Sequence, residues 1–315
     1  MILLLQYTLI FASVLLLVAL GGCFSERSGV INIGLEGVMV IGALGGALVM
    51  KFLPVSLGAP MMILATIAAS ALFGLIYSLL LAVAAINFKA DQTITGTAMN
   101  MLATAGATVA VKAMNTAASS GSNVSSEIIY TQARNMFIIR FGNFEFNWFM
   151  LVAAVALVIS FVLLYRTRFG LRLMACGEHP QAAASVGISV YKMRYAGVLI
   201  SGILGGIGGI VYITAGVSSW KFETGVAGFG FLALAVMIFG NWKPGNIAGA
   251  ALLFGLFHGN LLQTPYALLM GLIAGQFGLA LLCCLSQLLA GLQRFHGFLS
   301  ETIRFHPNHP PLYPR

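Results

Sequence analysis

The sequence predicts an all-α integral membrane protein of about nine transmembrane helices, within a range of about eight to ten. Composition is the first reason. Of 315 residues, 59% are hydrophobic and only 8% charged, with a mean hydropathy of +0.97, whereas about a quarter of a soluble domain is charged. The second reason is the length of the uncharged intervals, which reach the ~20 residues a membrane helix needs. The third is their continuous apolar character, since a membrane barrel would show alternating segments of about ten residues.

Taken in order, the first interval is Met1 to Ser25. "ALGGC" (19–23) imitates a lipoprotein cleavage site, but no Lys or Arg precedes the apolar run. It therefore reads as a first helix rather than a removed signal. A second span runs from Gly29 to Met50, and Phe52–Phe88, Gln92–Val111 and Phe146–Tyr165 follow. Next come Tyr195–Trp220, Thr224–Trp242 and the long Pro244–Gln293, which must fold back at "QTPY" (263–266) to give two spans. "SGILGGIGGI" (201–210) reads as a helix-packing face of small residues; neither GxxxxGK[ST] nor a βαβ context accompanies it, so it is no phosphate loop. Residues 1–293 thus form one transmembrane domain, and the tail 294–315, with "FHPNHPPLYPR" (305–315), reads as disordered.

Basic residues set the orientation. Arg166, Arg168, Arg172, Lys192 and Arg194 crowd a loop, 166–194, that holds one acid, Glu178, which places it in the cytoplasm. Counting outward puts Arg27, Lys89, Lys243 and the tail on the same side, eleven basic residues against five (Lys51, Lys112, Arg134, Arg140, Lys221), with the N-terminus outside. The net charge of +8 is thus mostly topology, and no nucleic-acid partner is needed to explain it. The external loop 113–147, rich in Ser, Asn and Thr, is either a contact surface for a soluble partner or a solvated connector. Cys23, Cys176, Cys283 and Cys284 form no CxxC or His/Cys ligand set, and no cofactor, metal or disulfide is implied.

Within the basic loop, "GEHPQAAASVG" (177–187) has Pro180 at a first helical turn, an Ala-rich run and a stop at Gly187. A short helix held between two spans is a docking element, with Glu178, Pro180, Ala183 and Gly187 as its contact residues.

The polar residues left inside the membrane are few: Asn32, Glu36, Asp91, Gln92, Asn100, His258, Asn260 and Gln263. Buried ionisable groups face protein or water. On a regular helix Asn32 and Glu36 share a face, with Glu36 about 13 Å along the axis from Arg27. Glu36 is either a polar contact lining a conduit or an inter-helix hydrogen-bond clamp. It is a thin basis for an ion-coupled transporter, which needs a coupling site near the midplane. His258 has no acid in its span and reads as a packed polar residue. No nucleophile, base and orienter set supports an intramembrane enzyme. A structural membrane protein without a substrate path is disfavoured by the docking loop.

Four ordered motifs carry a family resemblance: "ERSGVINIGLEGVMVIGA" (26–43), "ADQTITGTAMNMLATAG" (90–106), "FGLRLMACGEHPQAAASVGISV" (169–190) and "GFGFLALAVMIFGNWKPGNIAGAALLFG" (228–255). Over residues 10–290 the chain resembles the permease subunits of bacterial ABC importers in the ribose and nucleoside branch. "NIGLEG" resembles the nucleoside and guanosine type, "ADQ" the shorter of its two permeases, and riboflavin permeases are similar. The resemblance implies an inner-membrane subunit without catalysis of its own. It also implies an ATPase subunit received at residues 177–187, a second permease in a heterodimer, and an external substrate-binding lipoprotein. The substrate path is expected between the two permeases, lined from this chain by Asn32, Glu36, Asn100, Phe229 and Phe231, with membrane lipid around the rest.

Overall fold

The computed structural model of the protein describes residues 2–54, 58–118, 125–131, 135–141, 144–215 and 219–261. Its helices are α1 (Ile2–Arg27), α2 (Leu35–Phe52), α3 (Ala59–Ala82, continued by a π turn, Val83–Asn87), α4 (Gln92–Ala118) and α5 (Trp148–Arg166). They are followed by α6 (Arg168–Glu178), α7 (Pro180–Ser185), α8 (Val190–Thr214), α9 (Phe229–Phe239) and α10 (Pro244–Leu261). Among the described residues six helices are long and apolar enough to cross a membrane: α1, α2, α3 with its π turn, α4, α5 and α8. Two ribbons interrupt them: β1 (Glu127–Ile129) pairs antiparallel with β4 (Ser219–Lys221), and β2 (Ile138–Phe141) with β3 (Phe144–Asn147). The "QTPY" fold-back, Gln263, Cys283, Cys284 and the tail 294–315 lie outside the described residues.

One expected span takes another form. The uncharged interval Thr224–Trp242 does not fold as one helix. It begins with a 3-10 turn at Phe222–Thr224 and passes Gly225, Ala227 and Gly228, all at positive φ. Only eleven residues remain for α9. At 1.5 Å per residue α9 is about 16 Å long, half the hydrocarbon thickness.

α1 is the axis of the bundle, its apolar span 94% buried. α8, α10, α9 and α5 surround it, and α2 is packed between α3 and α8. The glycine run of α8 permits this: a Cβ on Gly42 of α2 would run into the backbone of Gly206, and a Cβ on Gly209 into the Met39 carbonyl. Backbones at this separation leave no room for a side chain. Gly209→Val is therefore expected to cost about 1–3 kcal/mol or more by overpacking. It should remove the monodisperse peak of detergent-extracted protein in size-exclusion chromatography. Gly245→Ala, where an added Cβ meets nothing within 4 Å, should leave that peak unchanged.

The two ends of the bundle differ. The end of α1, the α6–α7 loop and the α9–α10 turn meet at the basic end, where Arg27 approaches Glu178 and Trp242. The start of α8 is held there too, by Tyr191 donating to the Ile86 carbonyl and Tyr195 to Asn87. α8 spans 25 residues, so β4 beyond its C-terminus lies at the opposite, strand end. There Lys112 and Glu223 are 2.7 Å apart, and the lysine's hydrogen bond and charge hold the Glu223 carboxyl below its usual range. The stabilisation from that contact is present above the ordinary carboxylate pKa and lost as pH falls through the lowered one.

Candidate functional site

Between α1 and α2 the chain is not helical, and the sequence shows why. Gly29, at φ 85°, closes α1 with a paired cap: its N–H donates to the Glu26 carbonyl at 2.9 Å, and Val30 N–H donates to Ser25 at 3.2 Å. This is the glycine-terminated geometry that satisfies a helix's last carbonyls. Residues 30–34 then cross to α2 with several of their polar groups tied to other helices, although the buried Asn32 Oδ1 has no hydrogen-bond partner among the described residues. Gln92 Oε1 accepts from Ile31 N–H at 2.7 Å. Asn100 accepts from Gly37 N–H at 2.8 Å and donates to the Ile33 carbonyl at 3.1 Å, capping α2 from α4. Asn32, fully buried, donates to Ser201 Oγ of α8 at 3.0 Å. Asn32 thus precedes the helix that carries Glu36, so the shared face expected of a regular helix does not exist.

Glu36, in the first turn of α2, reaches across to the start of α9. Gly228 N–H donates to Oε1 at 2.8 Å and Gly230 N–H to Oε2 at 2.7 Å. These are unpaired donors of a helix N-terminus, where the macrodipole favours negative charge. A Cβ on Gly230 would lie 2.5 Å from Glu36 N and 2.6 Å from its Cα. Glycine at 230 therefore lets the two helix starts touch. The carboxylate ties two N-termini into one junction.

Phe229 turns into an aromatic cluster. Its ring centroid is 4.5 Å from Tyr212, 4.9 Å from His258 and 5.7 Å from Phe11, with His258 a further 4.4 Å from Phe11. His258 is packed among rings, and Phe229, 4% exposed, offers no surface. Phe231, two residues further along α9 and so on another face, is 39% exposed. Of the five residues expected along a path, only Phe231 presents a large free side chain. Asn32, Glu36 and Asn100 are committed to the α1–α2 break and its neighbours.

The α6–α7 elbow follows its sequence signals. Thr167 caps α6 by accepting from Gly170 N–H at 3.2 Å. Pro180 opens α7, and Gly187, at φ 81°, stops it with Gly187 N–H to Ala184 and Ile188 N–H to Ala183. Ala183, one of the residues expected to make contact, faces inward. It is 4% exposed, turned back on this chain, while the outward side carries Gln181, Ala182, Ser185 and Val186, the last 73% exposed. A six-residue helix has one inner face, and the fourth position of this one falls on it. Cys176 of α6 is buried, which pushes its thiol pKa up against the charge of Arg194. That makes it a packing residue rather than a nucleophile.

The family described as branched-chain amino acid transport system / permease component matches residues 4–282. The chain belongs to this permease family. It is 45% identical over 255 residues to the guanosine ABC transporter permease protein NupQ of Bacillus subtilis (strain 168), covering 79% of this chain and 78% of the relative. It is 38% identical over 255 residues, with the same coverage, to the nucleoside ABC transporter permease protein NupC of Lactococcus lactis subsp. cremoris. It is also 26% identical over 253 residues to the guanosine ABC transporter permease protein NupP of the same Bacillus strain, covering 78% of this chain and 70% of that one. The permease is a multi-pass protein of the inner membrane.

In this permease the elbow, the α1–α2 break and α9 are joined at the basic end. Gly177 packs on the Arg27 carbonyl and on Gly29. The Arg27 guanidinium donates to the Trp242 carbonyl at 3.3 Å and lies 3.9 Å from Glu178. Trp242 donates its ring N–H to Glu26, and its carbonyl also accepts from the Cys23 thiol. Asn241 and Trp242 both adopt φ near +50°, a costly conformation for non-glycine residues that surrounding contacts must hold. Sequence reading missed Arg27, Gly177, Gly230 and Trp242. Their signal was available in part: eleven apolar residues between Gly228 and Gly240 are too few for a span, and "NWKPG" follows at once. Among the described residues no group of three or more His, Cys, Asp or Glu could hold a metal ion.

Proposed function

We propose that this permease is the transmembrane subunit of an ATP-driven importer of nucleosides. The carrying observation is its 45% and 38% identity, over 79% of the chain, to permeases named for guanosine and nucleoside transport. In this reading the basic end is cytoplasmic, the strand end receives a substrate-loaded external lipoprotein, and the chain makes about nine crossings, the last of them after α10. ATP is hydrolysed by a separate subunit. A second, homologous permease completes the path, because the relatives come in pairs: NupQ with NupP and NupC with NupB, each named for the same kind of transporter and each similar to this chain.

α7 is the element the ATPase receives, with Glu178, Pro180 and Gly187 at its ends and Val186 at its tip; Ala183 backs it from inside. Val186→Asp places a charge on an apolar residue of that outward tip, and it is expected to strip the ATPase from the affinity-purified complex while the permease stays in the membrane. Full retention of ATPase and of uptake would remove α7 from this role. The function is tested by uptake of labelled guanosine in cells expressing the whole transporter, with unlabelled nucleosides, riboflavin and ribose as competitors. Uptake blocked by nucleosides and by ATP depletion is the expected result. Uptake that survives ATP depletion and collapses with the ion gradient would establish an ion-coupled transporter instead, and competition by riboflavin or ribose alone would change the substrate.

A further inference from the structure

Hydroxyl side chains are placed differently on the outer helices of the bundle. Every serine and threonine of α3 and α5, namely Thr66, Ser70, Ser78 and Ser160, is buried, and the exposed side chains of these helices include Leu72, Ile76, Val155 and Val158. That is the pattern of a helix facing lipid. α4 inverts it: Gly96, Met99, Ala103, Ala107 and Val111 are buried, and none of its six threonines is. α4 is also the least hydrophobic of the six spans.

At about 100° per residue, Thr93, Thr97, Asn100, Thr104 and Thr108 fall within about 80° of arc and form one strip along α4. The exposed Ile94, Leu102 and Val109 lie about 80–160° round from Thr104 and supply a separate, apolar side. The strip borders the Glu36 junction instead. Asn100 accepts from the N–H of Gly37, the neighbour of Glu36. A Cβ on Gly225, in the loop before α9, would lie 3.7 Å from Thr104 Oγ1. Lys112, one turn beyond Thr108, pairs with Glu223 at the strand end. The hydroxyls are also oriented: Thr97, Thr104 and Thr108 each donate to a carbonyl three or four residues back, at 2.7 to 3.2 Å. Their oxygen lone pairs are left to accept from outside the helix.

We infer that this threonine strip is one wall of the substrate path, its hydroxyl oxygens accepting from the sugar hydroxyls of the ligand. The inference rests on the importer reading and deepens it. Acceptors one turn apart, about 5.4 Å on a regular helix, let a ligand with several hydroxyls pass from one to the next without releasing all of them at once.

The test uses cells expressing the whole transporter, with Thr97→Cys, Thr104→Cys or Thr108→Cys in the strip and Leu102→Cys or Val109→Cys on the apolar side. A charged, water-soluble methanethiosulfonate is applied, and the unsubstituted chain supplies the background from its native cysteines. The expected result is labelling several-fold faster in the strip than on the apolar side. In parallel, Thr104→Val, which keeps the shape and removes the hydroxyl, should lower guanosine uptake several-fold while the ATPase still co-purifies, and Thr104→Ser should restore it. Strip labelling no faster than at Leu102 or Val109 would overturn the proposal, because the threonines would then face lipid or packed protein. Uptake at the wild-type rate with valine at all three positions would overturn it too. If the unsubstituted transporter takes up ribose or riboflavin and not guanosine, the nucleoside reading fails, and the valine and serine variants assayed on that substrate decide the strip.

Discussion

Replacing Glu36 by leucine is expected to abolish guanosine uptake and to destabilise the permease by up to about 2–6 kcal/mol, the upper limit for two N–H groups that lose their acceptor at about 1–3 kcal/mol each. Those groups are the amides of Gly228 and Gly230. Both contacts are partly buried between the starts of α2 and α9, and leucine supplies no acceptor there. The glutamine variant discriminates more finely, because both partners are donors. A carboxylate offers two acceptors, whereas a carboxamide offers one and turns an NH2 toward the other N–H. Glu36→Gln is therefore expected to lie between wild type and Glu36→Leu in thermal stability in detergent, and to lose uptake in proportion. A glutamine variant as stable as wild type but inactive would mean that the charge itself takes part in transport, beyond tying α2 to α9.

This junction also shows what could be read in the sequence and what could not. Glu36 stood out because a carboxylate in an apolar segment needs a partner, but the partner lies 192 residues away. No local periodicity points that far. The expected Asn32–Glu36 face assumed a helix through both residues, and the Gly29 cap ends α1 before it could form. Spans bounded by charges came out as helices wherever the interval holds one continuous helix, as in α3 and α5. The interval from Thr224 failed because an uncharged loop, Gly225–Gly228, looks to a charge count like the helix beside it. Pro180 and Gly187 marked the ends of α7 because fixed φ and positive φ are local properties of the residue. The inward turn of Ala183 is tertiary, and six residues carry too little periodicity to reveal it.

Gly177→Val is expected to uncouple the transporter while leaving its subunits assembled. Gly177 is where the elbow touches the α1–α2 break: an added Cβ would press on the Arg27 carbonyl and sit near the backbone of Gly29. A branched side chain must push α6 away from Arg27, at a cost of about 1–3 kcal/mol by the usual scale of overpacking. That shift would separate Glu178 and the elbow from Arg27, whose guanidinium holds the strained Trp242 turn at the end of α9. Since α9 begins at the Glu36 junction, a displacement of the elbow would no longer reach that junction through Arg27 and Trp242. The expected readouts are an ATPase that still co-purifies, ATP hydrolysis no longer stimulated by substrate-loaded binding protein, and uptake falling to background. Gly249→Val provides the control, since Gly249 lies exposed on α10, away from the elbow, and an added Cβ there meets nothing within 4 Å. It should keep both activities. Normal stimulation and uptake in Gly177→Val would show that the contact between elbow and break carries no coupling.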